Sequence, residues 1–150
     1  MGVIVIGVDH SEGAKAALRF ALGEAKLRQA SMRVVHAWQL GYVAASFLPG
    51  SYPELGGELD DLRNAAEAAV EATLHEVVPD MGDVEIERRV VEGAPSAVLV
   101  DESRDAELLV VGSRGLGGFS GLLLGSVSQQ CAHHAACPVV IVRAPAEKSG

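Results

Sequence analysis

The sequence predicts an α/β fold, a three-layer, doubly wound open sheet of five mostly parallel strands with helices on both faces. Short β-branched apolar segments alternate along the chain with longer segments whose apolar residues recur at helical spacing. Strands separated by helices require right-handed crossovers, and we expect the strand order 3-2-1-4-5. The 150 residues, 49% of them apolar and 21% charged, have the size and composition of one globular domain spanning 1–150.

The first half of the chain contains two predicted strands and two predicted helices. Val3 to Ile6 form a uniformly apolar, β-branched run that is too short for a surface helix and is typical of a central buried strand. From Ser11 onward, alanines and leucines recur at helical spacing and predict the first helix. Met32 to Trp38 predict the second strand, and Leu59 to Val77 predict a long second helix.

A long loop, Gln39 to Gly57, separates the second strand from the second helix. It exceeds the usual connection of about 4 to 6 residues, and loops of this length are usually functional or mobile. The loop carries Tyr42, Phe47 and Tyr52. These aromatic rings and that of Trp38 either stack on a ligand or pack against the protein, and packing is the favoured interpretation.

The second half repeats the alternation of strands and helices. Apolar and charged residues alternate from Val84 to Val91, which indicates a strand wetted on one face at an edge of the sheet. We then expect a third helix over Ala94 to Ser103, a buried strand over Glu107 to Val111, a fourth helix over Ser126 to Ala136 and a fifth strand over Pro138 to Arg143. Residues 144–150 are expected to form a loose tail.

The fifth strand has an unusually apolar sequence for an edge of a sheet. A bare apolar edge invites pairing with another chain, which makes this strand the candidate contact of a homodimer. The alternative is that helices cover both of its faces. The residues concerned are Val139, Val140, Ile141 and Val142.

Charge and hydropathy exclude several classes of protein. With 12 basic and 20 acidic side chains the formal net charge is −8, which argues against nucleic-acid binding because the field repels polyanions. No uncharged apolar run reaches the roughly 18 residues of a membrane span, and no basic residue precedes Lys15 as a secretory signal requires. A myristoylation pattern fails at Ile6. We therefore expect a cytoplasmic protein with Cys131 and Cys137 reduced.

Six of the 17 glycines fall between Gly112 and Gly125, after a predicted buried strand and before a predicted helix. Open parallel sheets bind ligands at this place, and glycines let backbone amides approach an anion such as phosphate. Ser126 and Ser128 add hydroxyl donors, and Ser126 with Gln129 fits a capping box. The alternative is a flexible link. Neither a Walker loop nor a dinucleotide-binding glycine motif is present.

The spacing within this glycine-rich turn is specific. Gly112-Ser113-Arg114-Gly115, nine residues, then Gly125-Ser126 resembles the signature of the ATP-binding universal stress proteins. Four other segments match the same family, so that the resemblance covers nearly all of residues 2 to 144. These segments are Gly7-Val8-Asp9-His10-Ser11, Val35-His36-Ala37, Glu92-Gly93-Ala94-Pro95 and Cys137-Pro138-Val139-Val140-Ile141-Val142.

The resemblance implies a site for ATP. In such a protein, Asp9 and the backbone near Gly7 and Ala37 hold the adenosine, and the glycine-rich turn lines the ribose and phosphates. It also implies a homodimer paired through the last strand and a regulatory role in stress, in which bound nucleotide changes a surface that a protein partner recognises. The candidate binding residues are Gly7, Val8, Asp9, Ala37, Val111, Gly112, Arg114, Gly115, Gly125, Ser126, Val127 and Ser128.

The same turn favours binding over catalysis. From Gly112 to Ser128 the only charged residue is Arg114, whereas phosphoryl transfer uses several cationic groups and metal-binding acids. We expect ATP to bring Mg²⁺ with it, without a dedicated protein cage for the metal and with little or no turnover. A weak ATPase or phosphotransferase using the same cleft is the alternative. An interaction module that needs no ligand is disfavoured by the intact signature.

Two groups of side chains have competing interpretations. Asp9 either accepts hydrogen bonds from the nucleotide or caps the first helix together with Glu12, and the residues alone do not choose between these roles. The second group has cysteine and histidine side chains, but its spacing fits no standard zinc pattern and it spreads around a helix, so we expect no metal there. It consists of Cys131, His133, His134 and Cys137.

Overall fold

The structure is a computed structural model that describes residues 2–9, 11–39, 56–113 and 124–143. Strands and helices alternate through these ranges, as the hydrophobic periodicity predicts. In chain order they are β1 (Val3–Gly7), α1 (Glu12–Arg28), β2 (Ser31–Trp38), α2 (Gly56–Val77), β3 (Ile86–Glu92), α3 (Pro95–Glu102), a 3₁₀ turn (Ser103–Asp105), β4 (Leu108–Gly112), α4 (Ser126–His134) and β5 (Val139–Val142).

The five described strands form one parallel sheet in the order β3-β2-β1-β4-β5. The predicted fold class and strand order are therefore confirmed. β1 lies at the centre, where Ile4 pairs with Met32 on one side and with Leu108 on the other. β3 and β5 are the two edges, as the alternation in β3 and the position of β5 in the sequence predict.

Two hydrophobic clusters lie on opposite faces of the sheet. On the first face, α1 and α2 cover β-strand residues that include Ile4, Ile6 and Val34. On the second face, Leu99 of α3 and Cys131 of α4 pack against residues that include Val5. Because successive strand residues point to opposite faces, the uniformly apolar strands supply both clusters at once. The result is the predicted three-layer arrangement.

α1 begins at a serine cap. The Ser11 hydroxyl accepts a hydrogen bond from the amide of Ala14, which makes Ser11 the N-cap. The interpretation of Asp9 as the cap is therefore wrong, because the cap lies two residues further along. The helix ends at Gln29, whose left-handed φ of 54° lets its amide bond to carbonyls of the last turn.

An ion-pair network ties β2, β3 and α3 together on the second face. Arg33, whose side chain is 9% exposed, bonds to Glu87, Glu102 and Asp105 at 2.9 to 3.3 Å. Arg89 bonds to Glu87 and Glu102. The hydrogen bond from Arg33 lowers the pKa of both Glu87 and Asp105. Glu87 and Arg89 of the edge strand β3 are thus engaged within the protein.

The β5 edge has apolar residues in contact with both clusters. Val140 and Val142 pack against the first cluster, and Val139 and Ile141 pack against the second, yet all four are only partly buried. Both faces of this strand therefore touch the core and neither is fully covered, and the homodimer contact stays a prediction. Within the described ranges, no helix has the length and apolar character needed to cross a bilayer.

Candidate functional site

The candidate site lies at the carboxyl edge of the sheet, where β1, β2 and β4 end side by side. Gly7 pairs with Val35 in β2, and Ile6 pairs with Val110 in β4. The residues that follow β1 therefore leave the sheet between the ends of its two neighbours. The amide of Val8 continues the β2 ladder by donating to the Val35 carbonyl at 2.9 Å.

Glycine at the end of β4 allows α1 to pack closely against the site. A Cβ at Gly112 would lie 2.9 Å from the carbonyl carbon of Gly13 and 3.2 Å from the amide nitrogen of Ala14. These are backbone atoms, so they cannot rotate away. Gly7 has a related role, because a Cβ there would lie 2.7 Å from a methyl carbon of Leu99. Both glycines are thus explained by packing that brings the elements of the site together.

Asp9 is held in the turn between β1 and α1. One of its carboxylate oxygens accepts hydrogen bonds from the amide of Ser11 at 3.1 Å and from its hydroxyl at 2.5 Å. The neighbouring Val8 carbonyl accepts a 2.9 Å hydrogen bond from Nδ1 of His36 in β2. Asp9 is half-buried, and the turn that carries it is tied to both α1 and β2.

The two ends of the glycine-rich turn meet at Ser113. The Ser113 carbonyl accepts a hydrogen bond from the Gly125 amide at 2.6 Å and another from the Ser128 hydroxyl at 3.0 Å. The Ser113 amide donates in turn to the carbonyl of Val142 at 2.8 Å. We call Ser113, Gly125 and Ser128 the neck of the turn. The neck fixes the start of α4 beside the end of β4.

The start of α4 presents backbone amides to the site. The N-cap is Gly125, which makes no side-chain capping bond, and helix geometry leaves the amides of Ser126, Val127 and Ser128 without an intrahelical acceptor. The helix dipole adds partial positive charge at this end. Ser126 is exposed, Val127 is half-buried and Ser128 is buried, so the first turn has one face toward solvent.

The capping box predicted for this helix is wrong. Gly125, not Ser126, is the N-cap, and the Gln129 amide group donates to the Leu124 carbonyl at 3.0 Å. The hydroxyl of Ser128 is also directed inward, because it donates to the carbonyls of Ser113 and Gly125. The sequence suggested the Ser128 hydroxyl as a donor to a ligand. In the structure this hydroxyl donates within the protein.

The structure brings ten of the twelve candidate binding residues to this edge of the sheet or to the first turn of α4. Gly7 ends β1, Ala37 is the penultimate residue of β2, and Val111 and Gly112 end β4. The remaining described candidates are Val8, Asp9, Gly125, Ser126, Val127 and Ser128. Arg114 and Gly115 lie outside the described residues, as do residues 40–55 and the tail 144–150.

Sequence interpretation overlooked several residues that organise the site. The Ser113 carbonyl is hydrogen-bonded to the other two residues of the neck, Gly125 and Ser128. Ser11 caps α1 and donates hydrogen bonds to Asp9, and the backbone of Gly13 lies close to Gly112. A signal existed for Ser11, because serine is a favoured N-cap residue and stands three positions before Ala14, where the apolar helical pattern begins. The role of Ser113 depends on a contact across the turn, which no local pattern reveals.

Side chains near the site supply two further observations. The indole nitrogen of Trp38, at the end of β2, is buried and has no hydrogen-bond partner within the described part of the chain. Cys131 is a buried free thiol and Cys137 is a half-buried one. Burial raises the pKa of Cys131 to about 11. Among the described residues, no group of three or more histidine, cysteine or acidic side chains is arranged to hold a metal ion.

Comparison with known proteins identifies the family of this chain. A family model described as "Universal stress protein family" matches residues 1–143. The chain belongs to the universal stress protein family. A universal stress protein of Mycobacterium tuberculosis is 36% identical over 141 residues, which are 93% of this chain and 46% of the relative. The chain spans about half the length of the curated relatives that it matches.

Two solved structures of universal stress proteins are similar to this chain and contain nucleotides. One is a complex with cAMP, with 27% identity, a TM-score of 0.67, and coverage of 96% of this chain and 98% of that one. The other, from Archaeoglobus fulgidus, is a complex with dAMP, with 26% identity, a TM-score of 0.62, and coverage of 95% and 97%. Both bound molecules are adenine nucleotides.

Proposed function

We propose that this protein binds an adenine nucleotide at the carboxyl edge of the sheet, and that ATP is its ligand. The main observation behind the proposal is the first turn of α4. Its three amides lack intrahelical acceptors, it begins at a glycine, and one of its faces is open to solvent. A phosphate group supplies the acceptors that such amides require. The adenine nucleotides in two similar universal stress proteins support the same class of ligand.

The adenosine end of the ligand is proposed to lie toward β1 and β2. Asp9 offers a carboxylate that accepts hydrogen bonds, and Ala37 offers backbone groups beside it near the end of β2. The bond from His36 to the Val8 carbonyl and those from Ser11 to Asp9 hold this side of the site in place. The ligand then bridges the turn after β1 and the start of α4.

Mg²⁺ is proposed to arrive on the nucleotide. Asp9 is the only carboxylate among the described candidate residues, and one of its oxygens already accepts two hydrogen bonds from Ser11. This donor set fits a Mg²⁺ ion that keeps most of its waters and bridges phosphate oxygens, and it does not form an all-protein cage. Bound Mg²⁺ would neutralise part of the triphosphate charge.

The proposed function is regulated binding with little or no turnover. The described candidate residues include no lysine or arginine, whereas phosphoryl transfer depends on cationic groups that stabilise the transferring phosphate. Arg114, outside the described residues, is the one arginine among the candidates. We propose that bound nucleotide changes a surface read by a protein partner in a stress response.

Acid extraction of natively purified protein tests this function directly. We expect ATP to be released and identified by chromatography and mass spectrometry, and titration calorimetry of emptied protein to show ATP binding. Gly125→Val should abolish the binding, because a branched side chain would stand among the first-turn amides. Ala132→Val, at an exposed position of the same helix, is the matched control and should bind like wild type.

Two results would decide against the proposal. If neither extraction nor calorimetry with ATP, ADP, AMP and cAMP detects a ligand, nucleotide binding is wrong. If turnover of ATP with Mg²⁺ disappears in Asp9→Ala while that variant still folds, the weak ATPase is the better description. Activity that persists in Asp9→Ala would come from a contaminant.

We further propose that two copies of this chain pair through β5. Of the two edge strands, β3 carries Glu87, Arg88 and Arg89, whose charges oppose pairing with another strand. β5 carries only β-branched apolar residues, all partly buried. An apolar and uncharged edge favours association, so the dimer is expected to form at β5 and not at β3.

A further inference from the structure

The main-chain hydrogen bonds of β2 alternate between its two neighbouring strands. Even-numbered residues bond to β3, since the Met32 amide donates to the Glu85 carbonyl at 2.8 Å. Odd-numbered residues bond to β1, since the Val35 carbonyl accepts from the Val8 amide at 2.9 Å. The bonds of a parallel ladder are evenly spaced along the strand. The next residue of β2 whose main-chain groups are directed to the β1 side is therefore Ala37.

The next bond of this ladder is missing. In an uninterrupted ladder the Ala37 amide would donate to the Val8 carbonyl. Among the described residues, no main-chain carbonyl on the β1 side accepts a hydrogen bond from the Ala37 amide. The chain has already turned toward α1, because Asp9 is bonded to Ser11. The main-chain groups of Ala37 thus face the space beyond the end of β1, where the adenosine is proposed to lie.

The Val8 carbonyl has a side-chain donor instead. Val8 is buried, and Nδ1 of His36 lies 2.9 Å from its carbonyl oxygen. A carbonyl oxygen only accepts, so Nδ1 carries the hydrogen of this bond. The main-chain groups of His36 are directed to β3, so only its side chain can reach the end of β1. The imidazole therefore occupies the acceptor that the ladder would give to the Ala37 amide.

We propose that His36 is a positioning residue for the nucleotide. By donating to the Val8 carbonyl in place of the Ala37 amide, its imidazole keeps that amide open to the ligand. This inference rests on the proposed binding of an adenine nucleotide and assigns His36 no contact with the nucleotide. Its effect on affinity is indirect, because it decides which donor the Val8 carbonyl takes.

Replacing the imidazole should lower the affinity for ATP. In His36→Leu the Val8 carbonyl loses its donor, the Ala37 amide bonds to it, and the ligand must then break that bond. We expect calorimetry to show the dissociation constant of ATP raised by roughly fivefold to tenfold. His36→Asn should recover most of this loss, because asparagine Nδ2 is a donor attached to the same side-chain carbon as imidazole Nδ1. His75→Leu, at an exposed position of α2, is the matched control and should stay within about twofold of wild type.

Amide hydrogen exchange at Ala37 measures the ladder without any ligand. We expect NMR of the full chain to show fast exchange of this amide in ligand-free wild type and slower exchange with ATP. In ligand-free His36→Leu the exchange should already be at least about tenfold slower than in wild type, because the amide has gained the Val8 carbonyl as its acceptor. A role for His36 in stability alone gives the opposite result, since a loosened strand end exchanges faster.

The outcomes separate this role from the proposed function. If wild type binds ATP and exchange at Ala37 is unchanged or faster in His36→Leu, the role of His36 is wrong and nucleotide binding stands. Equal losses of affinity in His36→Leu and His36→Asn would also decide against it, because the donor would then be irrelevant. If wild type binds no adenine nucleotide, both the function and this role are wrong. Circular dichroism and urea unfolding of each variant verify that the fold is retained.

Discussion

The Gly125 amide donates a 2.6 Å hydrogen bond to the carbonyl of Ser113, across a gap of twelve positions in the sequence. This bond closes the neck of the glycine-rich turn. It also holds the start of α4 next to the end of β4. Helix geometry then sets the positions of the amides that follow Gly125. The position of the proposed phosphate donors thus depends on this main-chain contact, which the Ser128 hydroxyl supplements.

Removing the Ser128 hydroxyl should loosen the neck without breaking it. Ser128 is 1% exposed and donates to the carbonyls of Ser113 and Gly125. In Ser128→Ala both carbonyls keep another donor, the amides of Gly125 and Gln129. We therefore expect the free energy of unfolding to fall by only about 1 kcal/mol in urea titrations. Ser126→Ala, at an exposed position, should stay within about 0.5 kcal/mol of wild type. Equal losses in the two variants would show that the neck bond does not stabilise the fold.

Adding a single methyl group at Gly112 should be more costly. The new carbon would meet backbone atoms of Gly13 and Ala14 at 2.9 to 3.2 Å, so α1 must move for Gly112→Ala to fold. We expect a loss of about 2 kcal/mol in the free energy of unfolding without nucleotide. Gly7→Ala is the comparison, because the atoms it meets belong to the side chain of Leu99, which can adjust. A larger loss in Gly7→Ala than in Gly112→Ala would contradict this explanation.

The architecture of this protein is predictable because its strands carry a strong local signal. Val3 to Ile6 and Leu108 to Val111 are apolar on both faces, as central strands between two helical layers must be. The charged alternation of β3 likewise indicates an edge, and the structure places it there. In these strands the residue pattern along the strand itself predicts which side chains are buried. A single sequence is therefore enough to predict the architecture.

The site was less predictable, because tertiary contacts decide its details. A serine followed three residues later by glutamine fits a capping box at Ser126, yet the bond between Gly125 and Ser113 moves the cap back by one residue. Gly112 belongs to the glycine signature, but a side chain at this position would also collide with the backbone of Gly13. Both effects involve partners far away in sequence, and a local pattern contains no information about them.

Acid should weaken the ion-pair network around Arg33. Since the hydrogen bond from Arg33 lowers the pKa of Glu87 and Asp105, these groups add stability above their unfolded values near pH 4, and lose it as the pH falls through the lower folded values. Arg33→Met removes that contribution and leaves Glu102, which is buried, with Arg89 as its remaining partner.

We expect Arg33→Met to lower the free energy of unfolding at pH 7 by roughly 2 kcal/mol, less than for a fully orphaned buried charge because Arg89 still pairs with Glu102. The difference from wild type should narrow between about pH 5 and pH 3. Arg104→Met, whose side chain is 75% exposed, is the control and should change little at any pH. A difference between wild type and Arg33→Met that is constant down to pH 3 would show that the carboxylates gain nothing from Arg33.

The two cysteines should differ sharply in their reaction with alkylating reagents. Burial raises the pKa of Cys131 to about 11, so at pH 8 roughly one thiol in a thousand is ionised, and reagent must also reach a side chain with 0% exposure. Cys137 also has a raised pKa from burial, but it is half-buried and more accessible. Mass spectrometry after timed iodoacetamide treatment should therefore find Cys137 modified first, and Cys131 modified only as the protein opens. In Cys137→Ser the fast phase should vanish, and urea should accelerate the remaining one. Modification of Cys131 in native buffer at the rate seen in urea would contradict its burial between α4 and the sheet.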